Sequence, residues 1–200
     1  MLADKDLEKL ISSGEVKIEP KGEYSISPAS IDLRLGCCAY RYTKDRYTLG
    51  EEFPSDLLDE FEFIEHEIGP NDSAHIALAQ SITIPESHCG ILKPRSSITR
   101  LGLSISEIFI QPGYSGVLPV HITNNSSMTI TIVPGVRAVQ LVLFSLSCSP
   151  RNKYEEGSDA KYFKEQASHS LIHTDQELSA MAQSLRDGSG VSLYRKMMGK

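Results

Sequence analysis

This 200-residue sequence contains no tryptophan and only four cysteines, Cys37, Cys38, Cys89 and Cys148. None of them forms a CxxC pair, and side chains of adjacent residues point to opposite faces of a regular strand. We therefore expect reduced thiols scattered through the core. The spacing predicts neither a disulfide framework nor a metal site of the zinc type.

The sequence also lacks a long hydrophobic run. Its most apolar stretch, Val133 to Leu146, is interrupted by Arg137 and Gln140 and is too short to cross a bilayer. The first residues, MLADKD, become charged at once and do not form the apolar region of a secretory signal. We expect a cytoplasmic protein without a membrane partner.

Several enzyme signatures are missing as well, namely the P-loop, GxGxxG, GxSxG and the HxE with PCxxC pattern of zinc deaminases. His66 and Glu67 lack the second histidine of a helical HExxH site. The formal net charge of -6 argues against a nucleic-acid polymer as the partner. It does not argue against a single nucleotide, because a local arginine cluster can hold one triphosphate.

The pattern of apolar residues predicts mainly β structure between two short helices. Asp4 can cap a first helix that ends at Gly14. From Val16 to about Leu146, short β-branched runs alternate with turn residues, which indicates a β-barrel or sandwich.

Two further segments do not show this alternation of β-branched runs and turn residues. Residues 45–62 are acidic and irregular and predict a surface excursion. Residues 175–187 predict a C-terminal helix with Leu178, Met181 and Leu185 on one side. We expect one domain over residues 1–170 and a helical extension over residues 171–200.

The segment Lys93–Leu103, KPRSSITRLGL, carries two arginines and two serines within six residues. Guanidinium groups and hydroxyls bind phosphate oxygens well, because the hydrogen bonds are charge-assisted. A polar surface helix would have a similar composition, so the spacing alone leaves both interpretations open.

Taken in chain order, six segments resemble the dCTP deaminase branch of the dCTP deaminase/dUTPase superfamily. They are Asp4–Ile11, Pro28–Gly36 (PASIDLRLG), Pro94–Leu103 (PRSSITRLGL), Gln111–Gly116 (QPGYSG), Pro134–Leu141 (PGVRAVQL) and 159–162 (DAKY). The resemblance covers the chain to about Gln166.

The resemblance implies a dUTPase-like distorted β-barrel, or β-clip, that assembles as a homotrimer with sites at subunit interfaces. It implies a pyrimidine deoxynucleoside triphosphate as the ligand, with Mg²⁺ bound through the triphosphate. The residues it places at the nucleotide are Arg95, Ser96, Ser97, Arg100, Gln111, Tyr114, Gln140, Lys161, Tyr162 and Gln166.

The sequence departs from the family pattern where the chemistry takes place. His121 stands at the position of the glutamate that transfers protons in the deaminases, on a strand where it faces away from Val120 and Ile122. Gln111 stands at the position of the carboxylate that activates water in the dUTPases, and an amide cannot accept a proton at neutral pH. In the closing tail, Glu165 occupies a position where glutamine is common.

Three functions stay open at this point. The first is hydrolytic deamination of dCTP to dUTP without zinc, with His121 or Glu107 transferring protons and Arg100 orienting water or substrate. The second is a catalytically inactive nucleotide-binding homologue that acts as a sensor, sponge or regulator. The third is dUTP diphosphatase activity, which Gln111 disfavours.

Overall fold

The structure is a computed structural model that describes residues 1–49, 51, 54, 56–152, 154, 160–166, 170–171, 174, 176–186 and 195. Three helices are present in this part of the chain: α1 (Asp4–Ser12), α2 (Ser96–Thr99) and α3 (Gln176–Arg186). The strands are β1 (Lys17–Glu19), β2 (Ser25–Ser27), β3 (Ser30–Tyr42), β4 (Leu58–Glu62), β5 (His66–Ile68), β6 (Ser73–Leu78), β7 (Ser81–Thr83), β8 (His88–Pro94), β9 (Leu103–Ile105), β10 (Ile108–Ile110), β11 (Ser115–Val117), β12 (Pro119–Asn124), β13 (Ile130–Ile132), β14 (Arg137–Ser145) and β15 (Glu165–Gln166).

The chain divides into two compact units. The first contains residues 1–40 and 60–168, and the second contains residues 41–59 and 169–200. The expected boundary near residue 170 stays a prediction.

The first unit is built from three sheets. A nine-stranded sheet has the order β10-β8-β14-β3-β6-β12-β9, with β2 and β4 also pairing with β3. A four-stranded sheet has the order β1-β7-β11-β15, and β13 pairs with β5. The large sheet curls into a half-barrel, which confirms the predicted mainly β fold with a distorted barrel and short terminal helices.

Alternation of apolar and polar residues explains how these strands form the core. Along β12, Val120 and Ile122 are buried, whereas His121 between them is only partly buried. The predicted direction of His121 is therefore confirmed. Leu33, Leu92 and Leu141 on the paired strands β3, β8 and β14 are completely buried and supply the hydrophobic stabilisation of this sheet.

The N-terminal helix confirms one predicted end and corrects the other. Gly14, with a φ of 78°, follows the helix as expected. The N-cap, however, is Ala3, which makes no side-chain capping bond, and Asp4 is the first helical residue. The Asp4 carboxylate instead accepts a hydrogen bond from the Lys5 N–H at 2.8 Å.

The cysteine prediction is also corrected. Cys37, Cys38 and Cys148 are exposed and Cys89 is only partly buried, so these thiols do not belong to the core. The Sγ atoms of Cys37 and Cys38 lie 4.0 Å apart instead of pointing to opposite faces. The physical reason is an irregularity in β3 at these residues.

The second unit contains the acidic segment as far as Asp59 and the C-terminal helix. The segment that was expected to be irregular ends in strand β4, and Leu57 just before it is 2% exposed. Lys44 forms an ion pair with Asp56. α3 is present as predicted, although the expected side chains of Met181 and Leu185 lie outside the described residues. In the part of the chain that the structure describes, no helix is both long and apolar enough to span a membrane.

Candidate functional site

The phosphate segment, defined as Arg95–Arg100, is a single turn of helix between β8 and β9. Arg95 is the N-cap of α2 and Arg100 its C-cap. Ile98 is 8% exposed and anchors the turn, while Ser96, Ser97 and Arg100 are exposed. The sequence therefore presents two hydroxyls and a guanidinium group on one short exposed element, which suits an anionic ligand.

A buried carboxylate fixes Arg95 at the start of this segment. Asp32 on β3 is 2% exposed, and its Oδ2 lies 3.3 Å from Arg95 Nε and 3.6 Å from Arg137 Nη1. The Arg95 side chain remains 29% exposed. A buried carboxylate needs such partners, because an uncompensated charge in the interior is strongly unfavourable.

Gln140 belongs to the same cluster. Its Nε2 donates to Ser30 Oγ at 3.1 Å and to Asp32 Oδ1 at 3.2 Å. The structure thus brings the predicted residues Arg95 and Gln140 together through Asp32. Asp32 lies within the segment Pro28–Gly36, but the sequence alone predicts no role for it.

His121 is part of the ring stack, defined as Tyr40, His75 and His121. His121 on β12 is paired directly with His75 on β6. The two imidazole centroids are 4.5 Å apart, and the Tyr40 ring stacks on His75 at 4.6 Å with an interplanar angle of 13°.

Burial sets the protonation state of the ring stack. Burial, followed by the charge of His121, lowers the pKa of His75 to about 4. Burial also lowers the pKa of His121 from its ordinary value. Both imidazoles are therefore neutral at neutral pH, and a neutral imidazole is the form that accepts a proton.

The two other candidate groups near this chemistry occupy different environments. The Glu107 carboxylate lies 2.5 Å from Lys93 Nζ, in an exposed ion pair. Gln111 is exposed at the start of a turn, and its carbonyl accepts the Tyr114 N–H at 3.1 Å. Glu107 thus lies in a surface ion pair, whereas His121 lies partly buried beside a second imidazole.

The closing segment, defined as residues 160–166, ends in β15, which pairs in parallel with β11. The buried Tyr114 hydroxyl donates to Glu165 Oε1 at 2.7 Å, and burial, followed by the charge of Glu165, raises the pKa of Tyr114. A Cβ atom on Gly116, whose φ is 156°, would lie 2.7 Å from the Glu165 carbonyl oxygen, so only glycine permits this close approach. Tyr114 thus contacts the closing segment itself.

The remaining predicted residues of this segment are distributed around that contact. Lys161 and Gln166 are exposed and Tyr162 is partly buried, whereas position 159 lies outside the described residues. Apart from Glu107 and Gln111, the predicted site residues thus fall into three groups: the phosphate segment with Asp32 and Gln140, the ring stack, and the closing segment with Tyr114.

Sequence reasoning missed Asp32 and His75. One feature of the sequence could have indicated His75. It interrupts the apolar residues of its strand with the same alternation as His121. Only the register of β6 against β12 makes the two histidines neighbours, and that register cannot be read from either strand alone.

Comparison with known proteins identifies the family of this chain. The family model described as dCTP deaminase-like matches residues 1–146. A protein of Corynebacterium efficiens named "dCTP deaminase, dUMP-forming" is 30% identical over 165 residues, which cover 79% of this chain and 86% of that protein. A Mycobacterium avium protein of the same name is 31% identical over 163 residues, which cover 77% and 85%.

A solved structure agrees with the fold. The 2'-deoxycytidine 5'-triphosphate deaminase of Agrobacterium tumefaciens superposes with a TM-score of 0.58 at 24% identity. The match covers 71% of this chain and 45% of that one, so this chain spans less than half the length of the solved protein. From the match over residues 1–146 and these relatives, we conclude that the chain belongs to the dCTP deaminase-like family.

Proposed function

We propose that this protein binds a pyrimidine deoxynucleoside triphosphate and hydrolytically deaminates dCTP. The observation that carries the binding proposal is the phosphate segment, in which Asp32 orients Arg95 beside the exposed Ser96, Ser97 and Arg100. Each of these side chains can donate to phosphate oxygens. The names of the curated relatives point to the same substrate.

Chemically, the reaction adds water to C4 of cytosine and releases ammonia, so that dCTP and water give dUTP and ammonia. We assign the acceptance of the water proton to the neutral imidazole of His121. That proton must then pass to the ring nitrogen or to the leaving amine. We assign Arg100 to orienting water or substrate, and we rank Glu107 below His121 because Lys93 neutralises its carboxylate.

The donor set of the phosphate segment also decides how Mg²⁺ would be held. Two guanidinium groups and two hydroxyls suit the anionic triphosphate and would repel a bare cation. The nearby carboxylate of Asp32 is engaged by Arg95, Arg137 and Gln140. Mg²⁺ would therefore be bound through the triphosphate, where it screens phosphate charge, and not by an all-protein cage.

We further propose that the active assembly is a homotrimer with the nucleotide at the interface between chains. Leu101 and Phe109 support this proposal, because they are 49% and 55% exposed beside the phosphate segment and Glu107. A neighbouring chain at this surface would remove these apolar side chains from water. Light scattering on the purified protein would test the assembly, and a monomer at working concentration would contradict it.

A second candidate function is a nucleotide-binding homologue without turnover. His121 favours it, because an imidazole packed against His75 replaces the carboxylate expected from the family pattern. Such a protein would capture the nucleotide as a sensor, sponge or regulator.

The deciding experiment incubates the purified protein with dCTP and Mg²⁺ and resolves the nucleotides by ion-pair chromatography, with dUTP in parallel. We expect dUTP from dCTP, and we expect dUTP itself to persist because Gln111 cannot act as a general base. Formation of dUMP would instead match the names of the relatives. Unchanged nucleotides, with binding shown by calorimetry, would overturn the deaminase proposal in favour of the second candidate.

A further inference from the structure

The pairing of strand β3 is irregular at Gly36, Cys37 and Cys38. The register of its pairing with β6 shifts there. Leu35 pairs with Leu78 and Ala39 pairs with Ile76, so four steps along β3 match only two steps along β6. The additional residues on β3 form a bulge, which re-aims side chains relative to a regular pleat. Both adjacent thiols are consequently exposed with their Sγ atoms 4.0 Å apart. Exposure of two cysteines is unusual, because free cysteine is among the most buried residue types.

Strand β4 adds a carboxylate to this pair. The Phe63 N–H donates to the Cys37 carbonyl at 2.9 Å, which holds the end of β4 beside the bulge. The ligand atoms of Cys37, Cys38 and Glu62 all lie within 4.8 Å of one another. Within the described residues, this is the group of three metal-ligating side chains that the fold brings together.

The spacing of the two sulfur atoms agrees with coordination of a single ion. Two thiolates bound to one tetrahedral Zn²⁺ at about 2.3 Å have their sulfur atoms about 3.8 Å apart. The observed 4.0 Å is close to that separation without any backbone movement. A covalent disulfide is much shorter, at about 2.05 Å.

We propose that Cys37, Cys38 and Glu62 form a surface site for a thiophilic divalent cation such as Zn²⁺ or Cd²⁺. Two thiolates select a soft or borderline ion over Mg²⁺ and Ca²⁺, which prefer oxygen ligands. Three protein ligands at an exposed position leave a fourth position for water or an exogenous ligand. Glu60 and Glu62 both lie on β4 and bring negative charge to this surface, which favours a cation. The site uses none of the residues assigned to the nucleotide.

Cadmium titration of the full-length, reduced, metal-free protein tests the proposal. The ultraviolet thiolate-to-cadmium charge-transfer band reports the number of bound sulfur atoms. We expect saturation at one equivalent with two thiolates in the wild type and in Cys148→Ser, which removes an exposed cysteine outside the cluster. Cys38→Ser should weaken binding by at least about 100-fold, since loss of an outer-shell partner alone costs 10- to 100-fold.

Glutamate variants separate a three-ligand site from a simple pair of thiols. Glu62→Gln should weaken cadmium binding by about 10-fold, whereas the matched variant Glu60→Gln, with the same loss of charge on the same strand, should leave it within about twofold. Zn²⁺ should also raise the melting temperature of the wild type but not that of Cys38→Ser, because a ligand that binds only the folded state stabilises it.

Three outcomes would overturn the site. The first is a titration in which Cys148→Ser loses the band as much as Cys38→Ser. The second is identical affinity in Glu62→Gln and the wild type. The third is the absence of a saturable band. Circular dichroism of each variant confirms that it is folded, which the exposed positions of the substituted side chains favour.

Discussion

In the phosphate segment the side chains that face solvent include two serine hydroxyls and a guanidinium group, and a buried carboxylate forms an ion pair with Arg95. In the ring stack the side chain of interest, His121, is packed against a second histidine and is partly withdrawn from water. The first region therefore offers fixed charges at the surface, and the second a group whose charge depends on its burial.

Under the proposed function, affinity and chemistry would rest on separate parts of this molecule. The phosphate segment keeps the residue types that the family pattern requires. In the ring stack, the position where the family pattern leads us to expect a carboxylate, charged at neutral pH, holds the imidazole of His121, whose pKa is lowered by burial. A change in the ring stack could therefore abolish turnover while nucleotide affinity is retained. The two regions should respond differently to mutation and to pH.

The largest expected effect follows from His121→Ala. If His121 accepts the proton from water, dCTP turnover should fall by about 100- to 10,000-fold. Triphosphate affinity should change little, because the phosphate segment is untouched. Steady-state deamination and calorimetry on the same preparation measure both quantities. Full turnover in this variant would exclude His121 from the mechanism. The ring stack would then have no role in catalysis.

Because His75 is partly buried in the ring stack, the free energy of unfolding should depend on pH. The pKa of His75 is about 4 in the folded protein, against about 6.5 in an unfolded chain, so the unfolded state binds the proton first. His75 therefore leaves stability intact above about pH 6.5 and lowers it as the pH falls towards 4. Urea unfolding of the wild type and His75→Gln between these pH values measures the effect. Parallel pH curves for the two proteins would contradict it.

Arginine variants test the phosphate segment. Arg95→Ala and Arg100→Ala should each weaken triphosphate binding by about 10- to 100-fold, because each removes a charge-assisted hydrogen bond. Lys9→Ala, which removes an exposed cation from α1, serves as the control and should bind like the wild type.

One further measurement distinguishes the two arginines. Only Arg95→Ala should also lower the free energy of unfolding, by about 1–3 kcal/mol, because the buried Asp32 loses a partner. Unchanged affinity in both variants would refute the proposed binding region.

The smallest expected effect is that of Glu107→Gln. Its exposed ion pair with Lys93 contributes less than about 1 kcal/mol to stability. If His121 is the proton acceptor, turnover should stay within about twofold of the wild type. A loss comparable to that of His121→Ala would move the general base to Glu107 and reverse the assignment.

The sequence predicted the strands and the exposed face of β12 because both depend on local alternation. The phosphate segment could be predicted for a similar reason, since its residues are contiguous. The wrong predictions all involve tertiary detail. Ala3 and not Asp4 precedes α1, and the bulge in β3 brings Cys37 and Cys38 to the same side of the strand.

The groups that complete the site come from distant parts of the chain. His75 reaches His121 through the register of two strands, and Asp32 reaches Arg95 across the β3–β14–β8 order of the sheet. Glu165 reaches Tyr114 from 51 residues away in sequence. Periodicity carries no information about such pairings, because each requires the sheet to be assembled first.

The two-residue strand β15 has a consequence for the kinetics of ligand exchange. It is held on β11 by a short parallel pairing and by the hydrogen bond between Tyr114 and Glu165, whereas β14 pairs over seven residues with β8. Short elements of this kind detach by local opening at a free energy far below that of global unfolding. A nucleotide that enters beneath the closing segment would bind only the detached fraction of molecules. Its apparent association rate would then report how often β15 leaves β11, and amide hydrogen exchange at Glu165 and Gln166 would report the same opening.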